Sequence, residues 1–152
     1  HVLRRRQRQM CIRDSLIGAR AYAKAHQDEL DNHVMAWESD FGAGRIWKIN
    51  SAVGTAAVDT FKELARPLRY IGIDYGTNTG RGGPDVSPLQ ALGVPIAELK
   101  QDGTDYFDLH HTADDTLDKV DPAALAQNTA AYAAFAYSIA ASDVDFRAKS
   151  EN

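Results

Sequence analysis

Residues 105–120 read DYFDLHHTADDTLDKV, two histidines and five aspartates in sixteen positions. Imidazole nitrogen and carboxylate oxygen are the donors that hold zinc in hydrolytic centres, where one coordination position stays open for water. By composition alone the stretch reads equally well as a solvated acidic loop with capping aspartates. Its neighbours decide the fold. Just upstream, 94–99 (VPIAEL) is an apolar run of strand length, and just downstream Asp121 and Pro122 pair an N-cap with proline at the first helical position. A strand that delivers an ionisable loop and returns as a helix is the unit from which α/β sandwiches are built.

Working outward, the helix after Pro122 has Leu125, Tyr132, Phe135 and Ile139 as its expected core stripe. Upstream, 88–92 reads as a short helix, 76–84 as an exposed glycine-rich loop and 70–73 as a strand. GRGGPD at 80–85 has neither the dinucleotide fingerprint nor the Lys-Ser/Thr ending of a phosphate loop. Val53, Ala57, Phe61, Leu64 and Leu68 mark a helix disturbed near Pro67, and 45–49 reads as a strand. Residues 34–37 form a short apolar run that delivers Glu38, Ser39 and Asp40 to a sheet edge, followed by a loop at 41–44. Leu16, Ala19, Ala23 and Leu30 share one face of an opening amphipathic helix. The pattern predicts a three-layer α/β sandwich with a mostly parallel, mixed central sheet.

The 152 residues are 44% hydrophobic and 25% charged, the composition of an ordinary globular domain. The longest alanine-rich stretch, 125–141, is broken by Gln127, Asn128, Thr129 and Ser138, so no membrane span is expected. Residues 5–15, RRQRQMCIRDS, match the translation of a common sequencing-library adapter ending in a transposase recognition sequence. Residues 1–15 are therefore set aside as non-native, leaving one domain at 16–141 and a polar tail at 142–152. The segment set aside holds five arginines and one aspartate, so without it the formal charge falls from −4 to −8. It also holds the single cysteine, so a metal site in the remainder must use histidine and carboxylate. An acidic remainder argues against a nucleic-acid partner.

Three segments in order carry a family resemblance: AWESDFGA at 36–43, GGPDVSPLQALGVP at 82–95 and HHTADDTLDKVDP at 110–122. They resemble the Glu-Ser-Asp-x-Gly, Gly-Ala-Asp-x-x-Pro-Leu and His-Thr-x-x-Asp-Thr signatures of the co-catalytic zinc aminopeptidase and carboxypeptidase family, in the His-His form of its plasma glutamate carboxypeptidase branch. The resemblance implies two zinc ions, a peptide substrate, and removal of terminal residues. It implies Asp40 as a ligand of one ion and His111 as a ligand of the other. His110 stands where many relatives have a tyrosine that stabilises the oxyanion; a bond from its ring to a backbone carbonyl is the structural alternative. Asp115 would support the ligand histidine or cap the following turn, and Asp85 would line the substrate cleft, although Pro84 departs from the usual alanine.

Relatives place a Glu-Glu pair just before the sequence that here reads LIGARAYA at 16–23. The resemblance thus implies a C-terminal fragment, without the catalytic glutamate and three of five ligands, and inactive alone. Glu38 is a tempting base, but its place in the signature argues against it. His26 and His33 read as helix-end residues. Glutaminyl cyclases share the fold, and a receptor-like homologue without metals is the other alternative. Relatives are often exported, which suggests a secreted or periplasmic location. The resemblance also sets a geometric expectation: Asp40 and His111, 71 positions apart, within roughly 8 Å, the span of two ~2 Å bonds and a ~3.5 Å metal separation.

Overall fold

The computed structural model describes residues 16–149; the segment set aside at 1–15 lies outside the described residues. The elements run α1 (Ile17–Ala25), β1 (Ile46–Ala52), α2 (Val58–Ala65), β2 (Asp74–Tyr75), α3 (Ser87–Ala91), β3 (Ile96–Gln101), the single turn α4 (Tyr106–Leu109) and α5 (Pro122–Ala140). The sheet order is β2-β1-β3. β1 and β2 are parallel, whereas β1 and β3 are antiparallel with Asn50 opposite Glu98. The chain is therefore α/β with a mixed sheet.

The main core joins Ile46 and Ile49 of β1 and Ala97 and Leu99 of β3 to Phe61 of α2 and Phe135 and Ile139 of α5. Phe61 and Phe135 meet edge to face at 5.3 Å between centroids, a favoured aromatic geometry. A smaller cluster of Ala23, Leu30, Leu89 and Val94 packs the α1 region against α3, with Ala36 against it. Because side chains alternate along a strand, Glu98 and Lys100 of β3 project away from the face that carries Ala97 and Leu99.

α5 starts as expected: the Asp121 carboxylate accepts the Ala123 N–H at 2.8 Å, and Pro122 is the first helical residue. Its core stripe differs. Leu125 is 52% exposed, while the polar Gln127 and Asn128 are buried. Their amides complete the hydrogen bonding at the start of β1: Gln127 Oε1 and Asn128 Oδ1 both accept from Ile46 N–H, Gln127 Nε2 donates to Ile46 O at 2.7 Å, and Asn128 Nδ2 donates to Gly44 O. A buried amide is tolerated when its donors and acceptors are matched.

Other expectations shift. The strand expected at 70–73 begins later, at Asp74, because Pro67 opens a 3-10 turn, Arg66–Ile71, that leaves Tyr70 95% exposed. Gly72, at φ 83°, ends that turn. Residues 34–37 make only one parallel bridge, Ala36 to Ile96, rather than a strand. The loop at 76–84 is not exposed throughout, since Gly80 and Gly82 are buried. The tail expected from 142 onward is packed to the body: Phe146 is 1% exposed within the main core, and the Arg147 guanidinium donates to the Leu30 and His33 carbonyls, each at 2.7 Å.

Candidate metal and substrate site

The parallel bridge between Ala36 and Ile96 makes the segments that follow, 38–44 and 102–111, leave the sheet at the same end. Buried Gln101, the last residue of β3, ties the first of them to the sheet: its Oε1 accepts from Ser39 Oγ at 3.3 Å and its Nε2 donates to Gly42 O at 3.0 Å. Two glycines allow the close approach. A Cβ on Gly44 would meet Asp102 O, and one on Gly103 would meet the Phe41 ring. Gln101 carries no sequence signal for this role beyond its place at a strand's end.

Asp40, His110, His111 and Asp115 together line a cavity of about 490 Å³. Asp40 is half-buried and His111 exposed. Asp85 is exposed and does not line this cavity; its backbone N–H instead donates to Glu38 Oε2 at 2.7 Å. In the turn after the histidines, Thr116 Oγ1 donates to the Asp118 carboxylate at 2.6 Å.

His111 has φ 61°, the left-handed region that ordinary residues avoid. The cause is a tight turn. His110 at φ −53° and ψ 122°, with Thr112 N–H donating to Leu109 O at 3.0 Å, defines a type II turn with His111 in the position that normally takes glycine. Imidazole in place of glycine there costs about 1–2 kcal/mol, a local strain of the kind that concentrates at functional sites. The His110 ring stacks between Tyr106, at 4.5 Å, and His111, at 3.7 Å. Among the described residues that ring makes no hydrogen bond to a backbone carbonyl.

Glu38 has a different use from that of a base. Its Oε2 accepts from the N–H groups of Asp85 and Val86, and its Oε1 is buried without a hydrogen-bond partner. Burial pushes its carboxyl up to about 7, against the backbone N–H of Asp85, with the nearby Asp40 and Asp85 carboxylates adding to the rise. The same residue is tied to the body through its carbonyl, which accepts from Tyr132 OH at 3.0 Å. Glu38 thus fixes the loop at 83–86 beside Asp40. His26 sits at the end of α1 and His33 at the end of the 3-10 helix Gln27–Asn32 that follows it, His33 bonded to Tyr22 OH and to the Glu29 carbonyl.

Asp40 and His111 are donors of the kind zinc takes. Among the described residues, however, no group of three or more His, Cys, Asp or Glu side chains could hold an ion. The donor types fit zinc, and the number falls short of a closed coordination shell.

Residues 14–136 match the model of Peptidase family M28, and the chain belongs to that family. It is similar to Carboxypeptidase Q of Mus musculus, 28% identical over 127 residues that cover 84% of this chain and 27% of the relative. The Homo sapiens Carboxypeptidase Q is 27% identical over 124 residues, 82% of this chain and 26% of the relative. Among solved structures, the Peptidase M28 precursor of Shewanella amazonensis SB2B is 50% identical with a TM-score of 0.86, covering 90% of this chain and 31% of that one. The chain thus spans about a quarter to a third of the length of these relatives.

Proposed function

We propose that this chain is the C-terminal part of a zinc-dependent exopeptidase, in which Asp40 binds one of two zinc ions and His111 the other. The supporting observation is that these residues, 71 positions apart, line one cavity at the end of the sheet. Zinc bound there would supply Lewis acidity and an activated water. Within this chain Asp40 and His111 hold donors toward the ions, and Gln101 ties the Asp40 loop to the end of β3. Asp115 and His110 line the same cavity, and in this reading the His110 ring N–H would donate to the oxyanion of a tetrahedral intermediate. The names of the curated relatives support peptide hydrolysis over cyclisation or a metal-free receptor role.

Two donors that serve different ions cannot close a tetrahedral shell, so the 152-residue chain alone is expected to bind zinc weakly and hydrolyse no peptide. Calorimetry on the chain should show weak zinc binding that His111→Ala and Asp40→Ala each reduce and His26→Ala leaves unchanged. Tight stoichiometric binding that persists in the Asp40→Ala, His111→Ala double variant would move the site to His110 and the loop aspartates. Joined to the preceding half of its parent, the domain should support chelator-sensitive release of terminal residues. A secreted or periplasmic location is part of the proposal. No helix among the described residues is long and apolar enough to cross a membrane.

A further inference from the structure

A second cavity of about 530 Å³ shares Asp40 and Tyr106 with the first. Its wall is largely apolar: Phe41 stacks on Tyr106 at 4.2 Å, with Trp47 and Pro84 completing that side. Two cations reach it, Arg81 and Lys100. Lys100 is paired with Glu98 at 3.1 Å, and Asn50 Nδ2 also donates to Glu98. Arg81 makes no ion pair among the described residues, and it is exposed between two buried glycines.

The backbone that carries Arg81 is fastened on both sides. Gly80 N–H donates to Ser51 O at 2.7 Å, and the Gln90 amide brackets the residue, donating to Gly80 O at 3.1 Å and accepting from Gly82 N–H at 3.2 Å. The flanking glycines leave no room for side chains. A Cβ on Gly80 would meet Ser51 O at 3.0 Å, and one on Gly82 would run into Val86 Cγ2. Glu38 holds the next residues through Asp85 and Val86. A guanidinium on a backbone this fixed, beside an aromatic wall, is preorganised for a planar anion attached to an apolar group.

We propose that this cavity receives the C-terminal residue of a peptide, its apolar side chain along Phe41, Tyr106 and Trp47 and its free α-carboxylate on Arg81. The proposal rests on the peptidase reading and gives it a direction: cleavage from the carboxyl end. The acidic neighbours do not forbid it, because Glu98 is paired with Lys100, the Glu38 carboxyl that also lines the cavity is engaged by the Asp85 and Val86 N–H groups, and Asp40 would face a metal ion.

The test uses the complete enzyme and measures binding of N-acetyl-phenylalanine against N-acetyl-phenylalaninamide by calorimetry. The wild type should prefer the carboxylate by about 10- to 100-fold, and Arg81→Met should remove that preference while leaving amide binding and Tm unchanged. Gln90→Ala, which frees the bracketed backbone, should reduce the preference in part. Equal binding of the two ligands by the wild type, or a preference that survives in Arg81→Met, would overturn the proposal. An equal loss by Arg81→Met for α-amidated N-acetyl-glutamate would assign Arg81 to a substrate side chain and overturn the α-carboxylate assignment. Chelator-sensitive peptide hydrolysis by the same preparation is scored separately. Its absence counts against the peptidase reading, whereas normal hydrolysis with no carboxylate preference counts against Arg81 alone.

Discussion

The two loops that meet at the end of the sheet are held in opposite ways. The segment around Asp40 is anchored by long-range bonds: Glu38 to the 83–86 loop, the Glu38 carbonyl to Tyr132 of α5, and Gln101 to both Ser39 and Gly42. The segment around His111 is exposed, and its turns are closed by bonds between near neighbours, Thr112 to Leu109 and Thr116 to Asp118. The first donor is thus placed by the core of the fold, and the second by a strained turn. A substitution near Asp40 should therefore be felt as stability, and one near His111 as local geometry.

The largest effect should come where the contrast disappears. Replacing either Asp40 or His111 by alanine in the complete enzyme should cut kcat/KM by about 10³-fold or more, since each removes a metal donor. A fall below tenfold in either would remove that residue from the metal assignment. Next comes the anchored side of the comparison. Gln127→Ala should lower unfolding stability by about 2–3 kcal/mol in denaturant titration, because the buried Ile46 backbone and the partly buried Ile71 carbonyl lose bonds to its amide. Thr112→Ala in the exposed turn should lower it by only about 0.5–1 kcal/mol. Equal losses would erase the distinction.

His111→Gly sharpens it further. Glycine relieves the left-handed strain, so the fold should gain about 1 kcal/mol while zinc affinity falls. A loss of stability would show that the turn is not strained by its histidine. The smallest effect concerns Glu38, whose carboxyl is raised to about 7 from an ordinary 4.5, first by burial. The folded protein then holds that proton more tightly than the unfolded chain. The resulting stabilisation is complete below pH 4.5 and is lost as pH rises through 7. Melting temperature should decline from pH 5 to pH 8, and Glu38→Gln should flatten that slope. An unchanged slope in the variant would place the titration elsewhere.

Features written in local patterns were legible before the structure. The Asp121–Pro122 start of α5 and the helix at Ser87–Ala91 come from capping chemistry and short periodicity. The three signature segments announced the family, and two of them meet at one cavity. What could not be read depends on partners distant in sequence. Gln127 and Asn128 look like interruptions of an apolar helix until β1 is seen to need their amides. Leu125, apolar and in phase, faces outward because those amides take the inner face. At 70–73 the apolar spacing imitated a strand, and the turn begun at Pro67 overrode it. His111 gives no turn signal, since the position normally asks for glycine or asparagine.

The end of the described chain is fastened to its beginning. Phe146 fills the main core, Gly54 N–H donates to the Phe146 carbonyl, and Arg147 grips the carbonyls of Leu30 and His33 just ahead of the bridge at Ala36. A fusion partner or tag joined directly after Ala141 would therefore remove the bolt that sets where the Asp40 segment leaves the sheet. Protein engineers should leave 142–149 intact and attach beyond it.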